Sequence, residues 1–346
     1  MKKGNVIRKY PGSNTTEGFY SFYKSGLSTM ERIFVLKGGP GTGKSTLMKK
    51  IAYNLTERGY DVEMWQCSSD NDSIDGVIVP VLKIAVVDGT APHVVDPMYP
   101  GAVDEIINLG DHWNREMLHE SKAEIIRLTS AISASFNEAY EKLAEYKKIY
   151  DEFAVKNTVG EKRITSYAND VIGEIFSEDL AKVSHFFASA VTPNGWTGYN
   201  QELCANVKKR FVIGSNNRYD VDLFLHKIEE AAILRGHDID IYHSTFAPQC
   251  YEMLVLPKIG LAVVDGLVPD LEPLESDILV ELAEFDDDVH PWDEKLESAV
   301  ACIAKAKSLH NDLEEYYVKA MNFEEVDAVC KKVFAEIWRM VDESEK

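Results

Sequence analysis

The sequence predicts an α/β protein with two tandem lobes, each a mainly parallel sheet followed by a helical hairpin. Three observations carry this prediction. A glycine-rich stretch, GGPGTGKS, occupies residues 38–45 between an apolar run and an amphipathic run. The chain matches itself when displaced by 177 residues. After each match come long stretches with apolar residues every third or fourth position. The expected domains are residues 1–182 and 183–346. A chain of 346 residues fits two lobes, since a single core seldom grows beyond about 250 residues.

The first lobe begins with YPGSNTTEGFYSFY at 10–23, where Phe19 or Tyr20 is a candidate to stack on a base and core packing is the plainer role. Ile33-Phe34-Val35-Leu36 then reads as a buried strand, and residues 46–55 as a helix with Leu47, Ile51 and Leu55 on its inner face. Between them, Gly38, Gly43, Lys44 and Ser45 satisfy G-x-x-x-x-G-K-[ST] in full. This is the phosphate loop of P-loop NTPases, so both lobes are read as P-loop NTPase-like. Gly38, Gly39, Gly41 and Gly43, with Pro40 and Thr42, let the backbone curl and turn its N–H groups inward. The helix N-terminus through Lys44, Ser45 and Thr46 adds a field favourable to an anion. Lys44 is placed to contact the β and γ phosphates, and the Ser45 hydroxyl to hold Mg²⁺.

Three further segments complete this reading. Lys-Ile-Ala-Val-Val-Asp at 83–88 is an apolar strand ending in an acid, which makes Asp88 the second magnesium residue. CSSDNDSIDG at 67–76 follows a strand over 61–66 and supplies Asp70, Asp72 and Asp75 as acids to orient a nucleophile. Asp70 is the favoured one. Asp72 serves equally well as the cap of a short helix over 73–79. His93 in GTAPH is a candidate phosphate sensor, and Lys37 can approach the phosphates.

The second lobe is a copy of the first. From Arg32–His93 against Lys209–Asp270 the register holds without a gap, and fourteen of 62 positions are identical. These include Phe34 and Phe211, Asp61 and Asp238, and the run AVVDG at 85–89 and 262–266. The loop itself is not preserved. Gly43, Lys44 and Ser45 become Asp220, Val221 and Asp222, and Gly41 becomes Arg218. A carboxylate at a helix N-terminus repels phosphate but can satisfy free helix N–H groups. One nucleotide site per chain is therefore expected. Arg218 is either a packing residue or a finger lent to the first site, with Lys208, Lys209 and Arg210 as alternatives.

The tails are expected to be helical from DEIINL at 104–109 and DILVEL at 277–282 onward. Residues 113–156 form either one long helix or two broken near 130–135, and a second helix covers about 162–180. The later counterparts are about 293–320 and 323–343. The acids at 286–288 read as a solvated loop rather than a metal site, since the spacing of a calcium loop is absent.

Lys plus Arg number 37 against 57 Asp plus Glu, a formal charge of -20, which argues against nucleic acid and anionic membranes as partners. Five isolated cysteines fit a reducing compartment. With no apolar run after the basic N-terminus and no run of about 20 apolar residues, a cytoplasmic location is expected.

The loop, CSSDNDSIDGVIVP and VDGTAPHVVDPMYPGAVDEI together resemble a family of bacterial tandem P-loop proteins labelled ATPase or nucleotide kinase. The resemblance spans nearly the whole chain and is most specific through residues 34–109. It implies one nucleotide site on Gly38–Thr46 and Asp88, and no particular substrate. In that family the second half often carries its own glycine-lysine loop; this chain departs from it at 214–222 and has VPD at 268–270 in place of APH. The expected activity is Mg²⁺-dependent ATP binding and hydrolysis at the first lobe. The alternatives are a kinase acting on a nucleotide or small-molecule acceptor, and an ATP-controlled switch that presents its helices to a protein partner. No guanine-reading N-K-x-D motif occurs, so adenine is the expected base.

Overall fold

A computed structural model of the protein describes residues 2–91, 94–156, 160–172, 181–283 and 294–344. His93, the acids at 286–288 and the proposed helical stretch 173–180 lie outside the described residues.

The first copy contains strands β1 (Val6–Lys9), β2 (Gly12–Thr15) and β3 (Gly18–Ser21), helix α1 (Tyr23–Leu27), strand β4 (Arg32–Lys37) and helix α2 (Lys44–Glu57). Strands β5 (Val62–Cys67), β6 (Asp70–Val79), β7 (Ile84–Asp88) and β8 (Asp104–Asn108) follow. Helices α3 (Arg115–Glu120), α4 (Lys122–Lys156) and α5 (Glu161–Ile172) close this half. The second copy runs β9 (Val183–Phe187), β10 (Ser189–Thr192), β11 (Gly195–Gly198), α6 (Asn200–Leu203), β12 (Lys209–Gly214) and α7 (Arg218–Leu234). It continues through β13 (Ile239–Ser244), β14 (Ala247–Leu256), β15 (Leu261–Asp265) and β16 (Ile278–Glu281) to helices α8 (Glu294–Ala320) and α9 (Phe323–Ser344).

The self-match is visible atom by atom. Strands β4, β5, β6 and β7 recur as β12, β13, β14 and β15 with both ends displaced by 177 residues. The two six-stranded sheets share one order, β1-β5-β6-β7-β4-β8 and β9-β13-β14-β15-β12-β16. In each, the strand before the helix pairs in parallel with its neighbours on both sides. In each, β6 or β14 runs antiparallel to both neighbours, so the sheets are mixed. Even the bulge repeats: register slips at Trp65/Gln66 and Gln66/Cys67 recur at Tyr242/His243 and His243/Ser244. The amides of Glu31 and Arg32 share the Lys83 carbonyl, as those of Lys208 and Lys209 share the Gly260 carbonyl. Lys83 and Gly260 both adopt positive φ, 53° and 68°, a conformation that glycine takes without strain and lysine does not.

The helical tails depart from the sequence expectation at their start and, along α4, meet the first of its two alternatives. DEIINL and DILVEL are not helical; they form the edge strands β8 and β16, each parallel to the strand before the helix. Residues 122–156 form one unbroken helix of 35 residues, so Ser130–Ser135 does not interrupt it. The chain also does not divide into consecutive halves. One compact unit holds residues 1–8, 27–137 and 302–346; the other holds 9–26 and 138–301. The hairpin that follows the second sheet therefore belongs with the first sheet, and the reverse holds for α5.

Core packing shows why. In the first unit, α9 contributes Val326, Cys330, Val333, Ile337 and Val341 to one cluster with Phe34, Leu36, Leu47, Ile51 and Val86. Their spacing of three and four is one helical stripe. Burying a large aliphatic side chain is worth about 1.5–3 kcal/mol, so this stripe is a major bond between α9 and the sheet. In the second unit, Ile164, Ala168 and Val171 of α5 occupy a cluster with Phe211, Val221, Phe224, Ile228 and Val263. No described helix is long and apolar enough to cross a membrane.

Within the second unit the β2–β3 and β10–β11 hairpins meet. Asn14 Nδ2 donates to the Val191 carbonyl at 3.1 Å, and these residues are themselves 177 apart. Here Tyr20 packs against Phe187 and Phe22 rather than projecting as a base platform.

Candidate functional site

In the first unit, residues 38–43 leave β4 as an open loop and enter α2 at Lys44. Gly41 and Gly43 have φ of 67° and 93°, backbone that a side chain would strain. Gly43 is the N-cap of α2 and offers no capping side chain, so the first helix N–H groups are not satisfied from there. Thr42 Oγ1 instead bonds back to the Gly39 carbonyl at 2.9 Å and braces the loop.

Lys44 is almost fully buried. Its ammonium donates to the Gly38 and Gly39 carbonyls, both at 2.8 Å, and lies 3.6 Å from Asp88 Oδ2. Asp88 ends β7, parallel to β4, and its Oδ1 accepts the Thr90 amide at 2.8 Å. Thr90 Oγ1 reaches the Gly38 carbonyl at 3.2 Å, a brace that the sequence reading missed. Ser45 Oγ accepts the Ile74 amide at 3.1 Å, and Thr46 is exposed. The structure thus gathers Gly38, Gly39, Gly41, Gly43, Lys44, Ser45 and Asp88 around one loop. Pro40 lies in the same turn.

Asp70 heads β6. Its Oδ1 accepts the Asp72 amide at 3.1 Å, and its Oδ2 accepts from Ser73 Oγ at 2.9 Å and from Lys307. Burial pushes the Asp70 carboxyl upward, but the Lys307 ammonium and the Ser73 and Asp72 hydrogen bonds outweigh it and hold the group below its ordinary range. Residues 73–79 are strand, not helix, so Asp72 caps nothing there; Ile74, Val77, Ile78 and Val79 are buried in the sheet. The Lys37 ammonium is held by the Gly89 and Val95 carbonyls and by Asp96.

The residues that sequence reasoning missed are on α8. Tyr317, Val318, Glu314, His310 and Lys307 all approach the loop or Asp70. Helical spacing identifies that face but says nothing of which lobe it covers.

In the second unit the corresponding loop has collapsed. Residues 218–220, aligned with Gly41–Gly43, wind into the first turn of α7, which ends in step with α2 but starts three residues earlier. The cap is Asn217, whose side chain accepts the Tyr219 amide, rather than Asp220 or Asp222. Arg218 is 3% exposed, bonds Tyr150 through Nε, and lies 3.3 Å from Asp265 and 3.9 Å from Glu252. A side chain held in this way is an internal counter-ion, so the finger reading of Arg218 is set aside. Arg210 is likewise occupied by Asp277, Gln201 and the Glu272 carbonyl.

Among the described residues there is no cluster of three His, Cys, Asp or Glu side chains able to hold a metal by itself. Mg²⁺ on a nucleotide needs less, since phosphates and water fill most of its sphere. The Ser45 hydroxyl and the Asp88 carboxylate are a hard oxygen pair that fits this role. Comparison with protein families, with characterised proteins and with solved structures gives no match to this chain.

Proposed function

We propose that the first lobe is a P-loop ATPase site that binds Mg²⁺–ATP and hydrolyses it, and that the second lobe is a degenerate P-loop fold without a nucleotide of its own. The observation that carries this is the glycine-rich loop at the start of α2, with buried Lys44 lying 3.6 Å from the strand-end carboxylate Asp88.

Lys44 would exchange its two carbonyl contacts for β and γ phosphate oxygens, which are stronger, charged acceptors. The amides of residues 41–45 would bind the same oxygens at the helix N-terminus. Ser45 and Asp88 would hold Mg²⁺, which when bound neutralises phosphate charge. Asp70 is ionised and close to the loop through Ser73 and Ile74, so it would orient the attacking water. The G-x-x-x-x-G-K-S motif between strand β4 and helix α2 supports the same reading.

The test is ATP turnover by the full chain and by Lys44→Ala, with ATP and GTP, with and without a panel of nucleotide and metabolite acceptors. The expected result is acceptor-independent ADP release that falls by about 100-fold or more in Lys44→Ala, the scale of losing one transition-state donor. Acceptor-dependent ADP release would identify a kinase instead. Tight ATP binding without turnover would identify a switch.

A further inference from the structure

The stretch of α8 in the first unit carries Lys307, His310, Glu314, Tyr317 and Val318 at steps of three and four, one face of the helix. That face is laid along the loop. A Cβ built on Gly39 would lie 2.5 Å from Tyr317 Cε1, and one built on Gly41 would lie 2.6 Å from Val318 Cγ2 and 3.2 Å from the Glu314 carbonyl. The helix is pinned there at its end: the Asn114 amide bonds the Ala320 carbonyl at 2.7 Å, and the Tyr317 ring packs 5.6 Å from Trp113. About 15 Å back along the helix, Lys307 meets Asp70. Asp70 stands four residues before Ile74, whose amide bonds Ser45. Lys307 and Ser45 are thus both tied to the first residues of β6.

His310 lies between these ends. Burial lowers its pKa; Glu314 and Asp70 pull it up, while Lys307 and Lys44 push it down, so all four charges share its surroundings. Phosphoryl transfer develops negative charge on the γ-phosphate that one lysine and Mg²⁺ seldom neutralise alone. The other cations nearby in sequence are taken. Arg32 pairs with Glu105 and Glu336, Lys37 with Asp96 and two carbonyls, and Lys49 with the Asp72 carbonyl. Lys307 differs from these in its partner: it is held, largely out of solvent, by Asp70, the acid proposed to orient the attacking water.

We infer that Lys307 is the second phosphate-binding cation of the first lobe, parked on Asp70 and transferred to the γ-phosphate as hydrolysis proceeds. The inference rests on the ATPase reading above. In the step itself, the water oxygen bonds to γ-phosphorus and the bridging P–O bond breaks. The bonding pair leaves on ADP, and the water proton passes to phosphate and then solvent. Lys307 forms no covalent bond; it neutralises the equatorial oxygens. Asp70, still braced by Ser73 and the Asp72 amide, keeps its carboxylate for the water.

The experiment compares the full chain with Lys307→Ala, Lys307→Gln and Lys307→Arg. It measures kcat and KM for Mg²⁺–ATP, and binding of a fluorescent ADP with and without aluminium fluoride. Thermal melting confirms folding, and Lys307→Gln keeps the side-chain stem should the alanine variant be unstable. The expected result is a fall in kcat of about 10³-fold for Ala and Gln, the lower range for a finger cation. ADP affinity should change by less than about threefold, tightening by aluminium fluoride should be lost, and Arg should recover part of the turnover. Unchanged kcat in Lys307→Ala beside a hydrolysing wild type overturns the inference and leaves the ATPase reading intact. So does a loss of ADP affinity equal to the loss of turnover with aluminium fluoride tightening retained. Failure of the wild type to bind ATP removes the ATPase reading itself, and the inference with it.

Discussion

The Ser45 hydroxyl accepts the backbone amide of Ile74 at 3.1 Å, and the same bond recurs 177 residues later between Asp222 and the amide of Tyr251 at 2.7 Å. Other bonds repeat at that displacement. Asp88 accepts from Thr90 as Asp265 accepts from Leu267, and Thr15 bonds Gly18 as Thr192 bonds Gly195. The duplicated fold therefore kept the bond that joins α2 to β6, and α7 to β14, while the side chain making it changed from serine to aspartate. The group at this position is one of the differences between the copies, beside the lost lysine and loop glycines: a hydroxyl can share its oxygen with a metal beside phosphate, whereas a carboxylate there repels phosphate.

Ser45→Ala separates the two roles of that hydroxyl. It leaves the partly buried Ile74 amide without its partner, at a cost of about 1–2 kcal/mol in denaturant unfolding. Affinity for Mg²⁺–ATP should fall at least tenfold, about 1.4 kcal/mol, with a smaller effect on ATP in the absence of metal. Ser45→Thr keeps the oxygen and should recover both. Calorimetric titration with and without Mg²⁺ measures the difference.

The loop and α8 are in close contact, and this can be measured as a coupling. Gly39 has room for no side chain, because its Cβ would stand 2.5 Å from the Tyr317 ring. Gly39→Ala should therefore cost about 1–3 kcal/mol by overpacking. Combined with Tyr317→Ala, the obstacle is gone, and the double variant should be more stable than the sum of the single effects by about 0.5–3 kcal/mol. Strict additivity in urea unfolding would show that the ring does not press on the loop.

The parts of this architecture that the sequence displays are those in which buried residues repeat in register. AVVDG at 85–89 and 262–266 falls on β7 and β15, whose apolar residues must fit between neighbouring strands and so tolerate little change. The glycine loop is equally legible, since Gly41 and Gly43 sit at φ values that other residues resist. The partner of each hairpin is not legible. The stripe Val326–Val341 on α9 requires an apolar surface, yet either sheet offers one, and only the folded chain selects. DEIINL misled for a different reason: a five-residue edge strand has too short a period to tell from a helical turn. At 73–79 the cap signal from Asp72 competed with Val77-Ile78-Val79, and burial of that run in the sheet prevailed.

The buried cluster of the second unit has a pH signature. Glu252 is wholly buried beside Arg218 and Asp265, two acids against one cation. Burial is the main cause that pushes its carboxyl up to about 7, while Arg218 and Ser189 pull it down. A raised carboxyl means the folded chain holds its proton after the unfolded chain has released it. Stability from this group is full below about pH 4.5, falls as pH rises, and levels off above about pH 7. Glu252→Gln stays neutral at every pH and retains a hydrogen-bonding head for Ser189. It should flatten the loss between pH 4.5 and 7 and unfold at higher denaturant than wild type at pH 8. An unaltered pH profile of the midpoint would show that Glu252 is not the titrating group.

Calorimetry with ATP and Mg²⁺ should give one site per chain. In the second unit the helix starts at Arg218, so the open loop that would present its amides to phosphate is absent from residues 215–220. Asp220 and Asp222 bring negative charge to the same helix end, and Arg218 already fills the space beside Asp265. Removing that filler does not restore a site. Arg218→Ala leaves Asp265 and Glu252 buried without their cation, which should cost about 3–5 kcal/mol of stability, yet the folded fraction should keep a single site of unchanged affinity. Two equivalent sites in the wild type, or a turnover in Arg218→Ala that falls out of proportion to its folded fraction, would return a direct nucleotide role to the second copy.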